Sequence, residues 1–334
     1  MDTTLIQSHA PIFALVGLGF LLGGGYSLVS GTVGIARRLN ISLLFVSLVT
    51  ISIGTSVPEL AVSLDAALIK KPDIALGNVV GSNIANILLV LGVSALIRPL
   101  VFSRKVIKFD SMVMVAASLV FFIFTLAWLD SLPNWIGGVF IATLATFIII
   151  SYRVKEVAPA TSPERLYHEQ EARKFDDTSG MSHFITLTLL GIVGVVLGAW
   201  FFVDSAATIA RDLGVSEAAI GLTMVAVGTS LPELVTALIA TYRKETQVIL
   251  GNVIGSNIFN VLGVLGATLL VAGKEISPNN FFGDMIIFLL VTLAVTPFLF
   301  RFGRIGKLAG GVFLLGYVAY VDWVYTTTPL MFWD

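Results

Sequence analysis

The sequence predicts an all-α membrane protein with ten transmembrane helices, built as two inverted repeats of five helices each. Its composition is the first observation, since 56% of the 334 residues are hydrophobic and only 12% are charged. Ten long, uniformly apolar stretches are the second, and a polar motif that occurs twice is the third. A chain of this composition belongs in a lipid bilayer.

Each apolar stretch is long enough for a helix that crosses a membrane, which needs roughly 20 residues. A transmembrane β-barrel would instead show segments of about ten residues with alternating polarity. The predicted spans cover residues 11–36, 41–69, 73–97, 107–129, 134–152, 183–210, 215–241, 246–271, 281–300 and 305–326.

Basic residues predict the orientation of these spans. Sixteen of the 20 Lys and Arg residues fall in the loops after spans 1, 3, 5, 7 and 9, and the other face has only Lys70, Lys71, Arg211 and Lys274. Cytoplasmic loops carry the excess of Lys and Arg. We therefore expect a multi-pass protein of the cytoplasmic (inner) membrane with both termini outside the cytoplasm.

Residues 153–182 differ from the rest of the chain. They include eleven charged residues together with Pro159 and Pro163, a composition typical of a solvated linker. The predicted organisation is a first five-helix repeat at 1–152, a cytoplasmic linker at 153–182 and a second repeat at 183–334.

The repeat is visible in two segments that lie 174 residues apart. Residues 54–92 read GTSVPELAVSLDAALIKKPDIALGNVVGSNIANILLVLG, and residues 228–266 read GTSLPELVTALIATYRKETQVILGNVIGSNIFNVLGVLG. Because each half has an odd number of spans, the second half enters the membrane in the opposite sense. This is the inverted-repeat plan of secondary transporters, whose binding sites lie between the repeats near the membrane midplane.

The repeated motif offers ligands for a cation. Pro58 removes a backbone hydrogen bond inside span 2 and frees the carbonyl group near Gly54, and Pro232 does the same near Gly228 in span 7. Each proline is followed directly by a glutamate, Glu59 or Glu233. Two carboxylates with nearby hydroxyl and carbonyl oxygens suit calcium, which takes six to eight oxygen ligands. A protonated Glu that only makes interhelical hydrogen bonds is the alternative, because a charged Glu is expensive to insert in a membrane.

Spans 3 and 8 add polar side chains in repeat-related pairs. Ser82 and Asn86 are four residues apart, as are Ser256 and Asn260, so each pair shares a helix face. We select these four as further ligand candidates. The remaining Asn residues of the motif, Asn78, Asn83, Asn252 and Asn257, fit interhelical hydrogen bonds equally well.

Two further acids recur, since Asp110 and Asp284 are also 174 residues apart. Both lie near the start of a predicted span, where we interpret them as helix N-caps.

Other functional classes find little support. Net charge near zero without a basic cluster gives no indication of nucleic acid binding. The chain has no Cys, and His9, His168 and His183 lie outside the repeated motif. Ligands for zinc, copper or iron and an activated nucleophile are therefore not evident, and we expect a protein that is not an enzyme.

The paired GTSVPE and GTSLPE with GNVVGSNIAN and GNVIGSNIFN resemble the two alpha repeats of the cation/calcium exchanger superfamily, in particular those of prokaryotic sodium/calcium exchangers. The resemblance covers almost the whole chain. It implies that spans 2, 3, 7 and 8 form the ion site and that spans 1 and 6 slide across it as a gate. It implies that calcium is bound by Glu59 and Glu233, with Thr55 and Thr229 assisting. It also implies that sodium is bound by Ser82, Ser256 and the backbone carbonyls of Ser52 and Ala226, and that Asn86 and Asn260 line the middle of the cavity.

The expected function is exchange of Ca²⁺ for Na⁺ by alternating access, normally for calcium export. Both ions are cargo, no permanently bound cofactor is expected, and apart from the lipid bilayer no obligatory protein partner is evident. Some relatives, including potassium-dependent ones, have Asp at the position of Asn260, so the Asn in this chain argues against a role for potassium. Two alternatives stay open, a Ca²⁺/H⁺ antiporter at the same acidic site and a calcium channel.

Overall fold

The computed structural model describes residues 9–154, 180–215 and 228–327. Most of the predicted linker and the first half of predicted span 7, including Ala226, lie outside these ranges. Eleven helices of twelve or more residues occur within them: α1 (Ala10–Leu39), α2 (Leu43–Thr55), α3 (Val57–Leu68), α4 (Pro72–Ile97), α5 (Arg104–Ala127), α6 (Asn134–Val154), α7 (Met181–Asp212), α8 (Leu231–Tyr242), α9 (Thr246–Glu275), α10 (Phe282–Phe302) and α11 (Lys307–Thr327).

The described residues contain eight helices that are long and apolar enough to cross a membrane, and nine such spans if α2 and α3 are taken as one bent span. The prediction of a helical, multi-pass membrane protein is confirmed. Of predicted span 7, the described part is its second half, which holds α8.

The predicted break in span 2 lies between α2 and α3, which meet at an angle of 43°. Ser56 joins the two helices, and Pro58 is the second residue of α3. Proline is tolerated in the first turn of a helix, where its missing N–H would have no intrahelical partner. Ser230 has nearly the same backbone angles before α8 as Ser56 has before α3, with φ −84° and ψ 4° against φ −89° and ψ 9°.

Helices α4 and α9 form the centre of the molecule. Their most apolar windows are 72% and 94% buried inside the protein, whereas those of the other six long helices are 17–39% buried. Each central helix contains a five-residue π-helical segment, Asn86–Val90 in α4 and Asn260–Val264 in α9. These segments are also 174 residues apart, and each begins at an Asn that the sequence singled out as a ligand candidate.

The two long helices α1 and α7 pack along each other through small residues. A Cβ atom added to Gly24 of α1 would lie 2.7 Å from backbone atoms of Gly194 and Val195 in α7. Only glycine allows the two backbones to approach so closely at this point.

A short antiparallel β-pair joins the two halves, which the all-helical prediction did not include. Strands β1 (Leu100–Val101) and β2 (Arg304–Ile305) pair Leu100 with Ile305 and Val101 with Arg304. Because each strand has two residues, this β-pair only connects two loops, and the helical architecture is unchanged.

The interpretation of Asp110 and Asp284 as helix N-caps is wrong. Helix α5 begins six residues before Asp110, and the N-cap position of α10 is occupied by Phe281. Asp110 is buried and accepts a hydrogen bond from Ser151 at 3.1 Å, while Asp284 accepts one from the hydroxyl group of Tyr320 at 3.1 Å. Both acids therefore link helices.

Candidate ion-binding site

Glu59 and Glu233 occupy the same position in two short helices. Each is the third residue of its helix, one residue after the proline, in the first turn of α3 and α8 respectively. Both side chains are 0% exposed. The N-terminal end of a helix carries partial positive charge, which favours a carboxylate in its first turn.

The two carboxylates have different partners although their local sequences match. Oε1 of Glu233 accepts hydrogen bonds from the hydroxyl groups of Ser56 at 3.1 Å and Ser256 at 3.4 Å. Within the described ranges, neither oxygen of Glu59 has a hydrogen-bond partner. Ser230, the repeat equivalent of Ser56, likewise has a buried hydroxyl group with no partner there.

Two reciprocal Thr–Asn contacts join the halves. Thr55 Oγ1 lies 3.3 Å from Asn252 Oδ1, and Thr229 Oγ1 lies 3.4 Å from Asn78 Oδ1. These pairs are related by the 174-residue offset. Each of these Asn residues also donates to the backbone carbonyl of the Glu in its own half, from Asn78 to Glu59 at 3.0 Å and from Asn252 to Glu233 at 3.4 Å. The backbone at both glutamates is thus held beside the central helices.

The other polar candidates lie on the central helices. Asn260 Nδ2 donates to Ser82 Oγ at 3.1 Å, and Ser82 Oγ donates to the carbonyl oxygen of Asn78 at 2.7 Å. Oδ1 of Asn260 and both amide atoms of Asn86 are buried without a hydrogen-bond partner among the described residues. Buried amide groups are normally paired, so the Oδ1 atoms of Asn86 and Asn260 are available to a cation.

Ser52 lies where α2 meets α9. Its hydroxyl group is 3.1 Å from the carbonyl oxygen of Gly251 and 3.2 Å from that of Asn252. Its own carbonyl oxygen accepts the backbone N–H of Ser56 at 3.0 Å. A carbonyl oxygen has two lone pairs, so this group can still bind a cation. Ala226 lies outside the described residues.

The assembled groups suit a hard cation. They are carboxylate, hydroxyl and amide oxygens, and no cluster of three or more His, Cys, Asp or Glu side chains occurs in the part of the chain that the structure describes. Oxygen ligands in this number and variety suit calcium and other hard cations. Two buried carboxylates without a basic partner would be costly if both were charged and empty.

Comparison with known proteins decides the family. The family model described as sodium/calcium exchanger protein matches residues 9–153 and 183–326. This chain belongs to the sodium/calcium exchanger family. It is 30% identical to the sodium/calcium exchanger MaX1 of Methanosarcina acetivorans over 93% of this chain and 97% of the relative, and 31% identical to the inner membrane protein YrbG of Escherichia coli over 96% and 98%.

A solved exchanger has the same fold. The structure of the sodium-calcium exchanger NCX_Mj soaked with 2.5 mM Na⁺ and 1 mM Sr²⁺ matches with a TM-score of 0.80 and 30% identity, covering 94% of this chain and 97% of that one. The resemblance drawn from the two motifs is confirmed. As a member of this family, the chain is a cation/calcium antiporter, and its family is one of transporters.

Two features of this site were not predicted from the sequence. Ser56 and Ser230 were not among the predicted site residues, although both lie in the GTSVPE and GTSLPE motifs. The role of Asn78 and Asn252 was also left open, and the structure places these side chains against the backbone of Glu59 and Glu233. The available signal was that a serine occurs two residues before the proline in both motifs.

Proposed function

We propose that this antiporter exchanges Ca²⁺ for Na⁺ across the cytoplasmic membrane by alternating access and normally exports calcium. The observation that carries the proposal is the fully buried pair Glu59 and Glu233, which has no basic partner among the described residues. Such a site must be neutralised by bound cations before it can move between the two sides. Exchange of one cargo for another is then obligatory.

The proposed architecture has ten spans in two inverted repeats, residues 1–152 and 183–334, with a cytoplasmic linker at 153–182. Repeat-related hydrogen bonds and π-helical segments support it. In this arrangement α1 and α7 are the gate, and their close packing at Gly24 supports a sliding movement of the pair.

The proposed ligands follow the groups that meet in the centre. Glu59 and Glu233 bind calcium together with Thr55 and Thr229. Sodium ions bind at the Ser82 and Ser256 hydroxyl groups and the Ser52 and Ala226 carbonyls, and Asn86 and Asn260 line the middle of the cavity. The unpartnered atoms of Glu59, Asn86 and Asn260 support this assignment.

The proposed orientation puts both termini outside the cytoplasm. Since the chain has no native Cys, single cysteines at position 2, 170 or 332 can be labelled in intact cells with a reagent that does not cross membranes. Positions 2 and 332 should react and position 170 should react only after the cells are opened. Labelling of position 170 in intact cells would overturn the orientation.

Sodium and protons are distinguished by calcium uptake into proteoliposomes. Vesicles are prepared with an outward sodium gradient, with a proton gradient, or with neither. Uptake that requires the sodium gradient supports the proposal, whereas uptake driven by the proton gradient would identify a Ca²⁺/H⁺ antiporter. Uptake with neither gradient would indicate a channel.

The matched control for this measurement is a surface acid. Glu275 is exposed at the end of α9, so Glu275→Gln removes one carboxylate without touching the site. We expect sodium-driven uptake to survive Glu275→Gln and to disappear in Glu233→Gln. Equal uptake by the two variants would remove Glu233 from the site.

A further inference from the structure

Helix α1 is sealed against α8 by apolar side chains. Leu21 of α1 and Val235 of α8 belong to one buried cluster, and Ile239 of α8 packs against it. A Cβ atom added to Gly25 would lie 2.5 Å from the end of the Ile239 side chain. The two helices are therefore in close apolar contact.

Arg243, the residue that follows α8, extends this contact with a charged group. Its Nη1 donates a hydrogen bond to Ser30 Oγ, and its guanidinium carbon lies 5.0 Å from the centre of the Tyr26 ring. Ser30 and Tyr26 are one turn apart on α1, and Ser30 Oγ donates to the Tyr26 carbonyl at 2.7 Å. Ser30 is only 7% exposed, and the positive charge of Arg243 strengthens both its hydrogen bond to Ser30 and its contact with the Tyr26 ring.

The equivalent surface in the other repeat is open and lacks these groups. Subtracting 174 from Val235, Ile239 and Arg243 gives Ala61, Asp65 and Ile69 on and just after α3, and all three are exposed. If α7 closed over this surface, Asp65 would be buried at the position that Ile239 occupies in the contact between α1 and α8. No arginine would then hold α7 against α3, because position 69 is an isoleucine. Burial of a charged carboxylate without a partner is costly. The two seals are therefore unequal in strength.

We propose that Arg243 is a positioning residue for exchange. It holds α1 against α8 and so stabilises the access state in which the ion site is closed on the side of the membrane where Arg243 lies. This closed state is the resting state of the protein. The inference rests on the proposed alternating access, in which α1 must leave α8 for the site to open to the cytoplasm. The hydrogen bond of Arg243 to Ser30 and its contact with the Tyr26 ring involve no proposed ion ligand. It acts through α1, by stabilising one of two access states and lowering the population of the other.

Two reporter cysteines measure this population without transport. Ala61→Cys reports the open surface of α3, and Val235→Cys reports the seal, where the side chain is 7% exposed. Each is labelled with a maleimide that does not cross membranes, added from one side of proteoliposomes of known orientation. Because Val235→Cys reacts only when α1 has moved away, its rate of labelling follows the population of the minor state.

In the Val235→Cys background, Arg243→Ala should raise the rate of labelling from the Arg243 side at least tenfold, equivalent to about 1.4 kcal/mol. Arg243→Lys, which keeps the charge but loses the planar donor group, should give a smaller increase. Ser30→Ala tests the same bond from α1 and covers the case in which Arg243→Ala does not fold. The control Lys244→Gln removes a neighbouring exposed charge and should leave the rate unchanged.

An unchanged rate in both Arg243→Ala and Ser30→Ala would overturn the proposal, and so would an equal increase in Lys244→Gln. Calcium uptake by the same vesicles separates this from the proposed function. Proton-driven uptake together with the expected change in labelling would refute sodium exchange and still support the role of Arg243. Sodium-driven uptake with no change in labelling would support sodium exchange and refute the role of Arg243.

Discussion

The contact between α1 and α7 at Gly24 allows a quantitative prediction. In Gly24→Ala the new Cβ atom would lie 2.7 Å from two backbone atoms of α7, whereas ordinary contacts begin at 3.4 Å. The helices must separate by about 0.7 Å, and overpacking of this kind costs about 1–3 kcal/mol. We expect lower thermal stability and a slower maximal rate of exchange, because the altered contact joins the two helices of the proposed gate.

Gly23→Ala is the matched control, because a Cβ atom there meets nothing within 4 Å. Both variants gain the higher helix propensity of alanine, worth up to about 1 kcal/mol, so their difference isolates the clash. At about 2 °C per kcal/mol, Gly24→Ala should unfold about 2–6 °C below Gly23→Ala, as followed by tryptophan fluorescence in detergent. Equal melting temperatures and equal initial rates of calcium uptake would refute the packing argument.

Three further predictions concern the site. Glu59→Gln should abolish calcium exchange while the protein still folds, and near-normal uptake by the folded variant would contradict its role. Ser56→Ala should weaken calcium binding by about 10- to 100-fold, since a hydrogen bond to a charged group is worth about 1.5–3 kcal/mol. Ser230→Ala should have a smaller effect, because the Ser230 hydroxyl group has no partner among the described residues. Equal losses of calcium affinity in the two variants, measured by calorimetric titration, would contradict this prediction. Calcium uptake should be unchanged when a large inert cation replaces potassium. Asn260→Asp should slow turnover, because the added carboxylate must be neutralised before the site can move. A strict requirement of calcium uptake for potassium would contradict the prediction that potassium has no role.

Much of the fold could be predicted because membranes restrict the possible structures. Every backbone group in the bilayer must be paired, so long apolar runs predict helices, and Pro58 predicts the break that the structure places between α2 and α3. The 174-residue repeat similarly predicted that equivalent groups would occur in pairs, as the Thr55–Asn252 and Thr229–Asn78 contacts do.

Differences between the two repeats could not be predicted from motifs that are nearly identical. Ser56 bonds to Glu233 while Ser230 has no described partner, and Val235 is buried while Ala61 is exposed. Val235 is buried because α1 packs against α8 there, and a repeated motif does not encode which of two equivalent surfaces is covered. The π-helical segments at Asn86 and Asn260 occur in both repeats but could not be predicted either, because the sequence pattern does not show where a helical turn takes in an extra residue.

The crossed Thr–Asn contacts also affect how the protein is made. Thr55 and Asn252 are 197 residues apart, which at about 5–20 residues per second corresponds to about 10–40 s of synthesis. During this interval the first half is in contact with lipid or the insertion machinery, and Glu59 lies beside a helix break whose polar partners do not yet exist. The nascent chain must therefore keep this segment hydrated, protonated or covered until α9 emerges. A ribosome stalled between these two points should hold the first half in a form that proteases can attack.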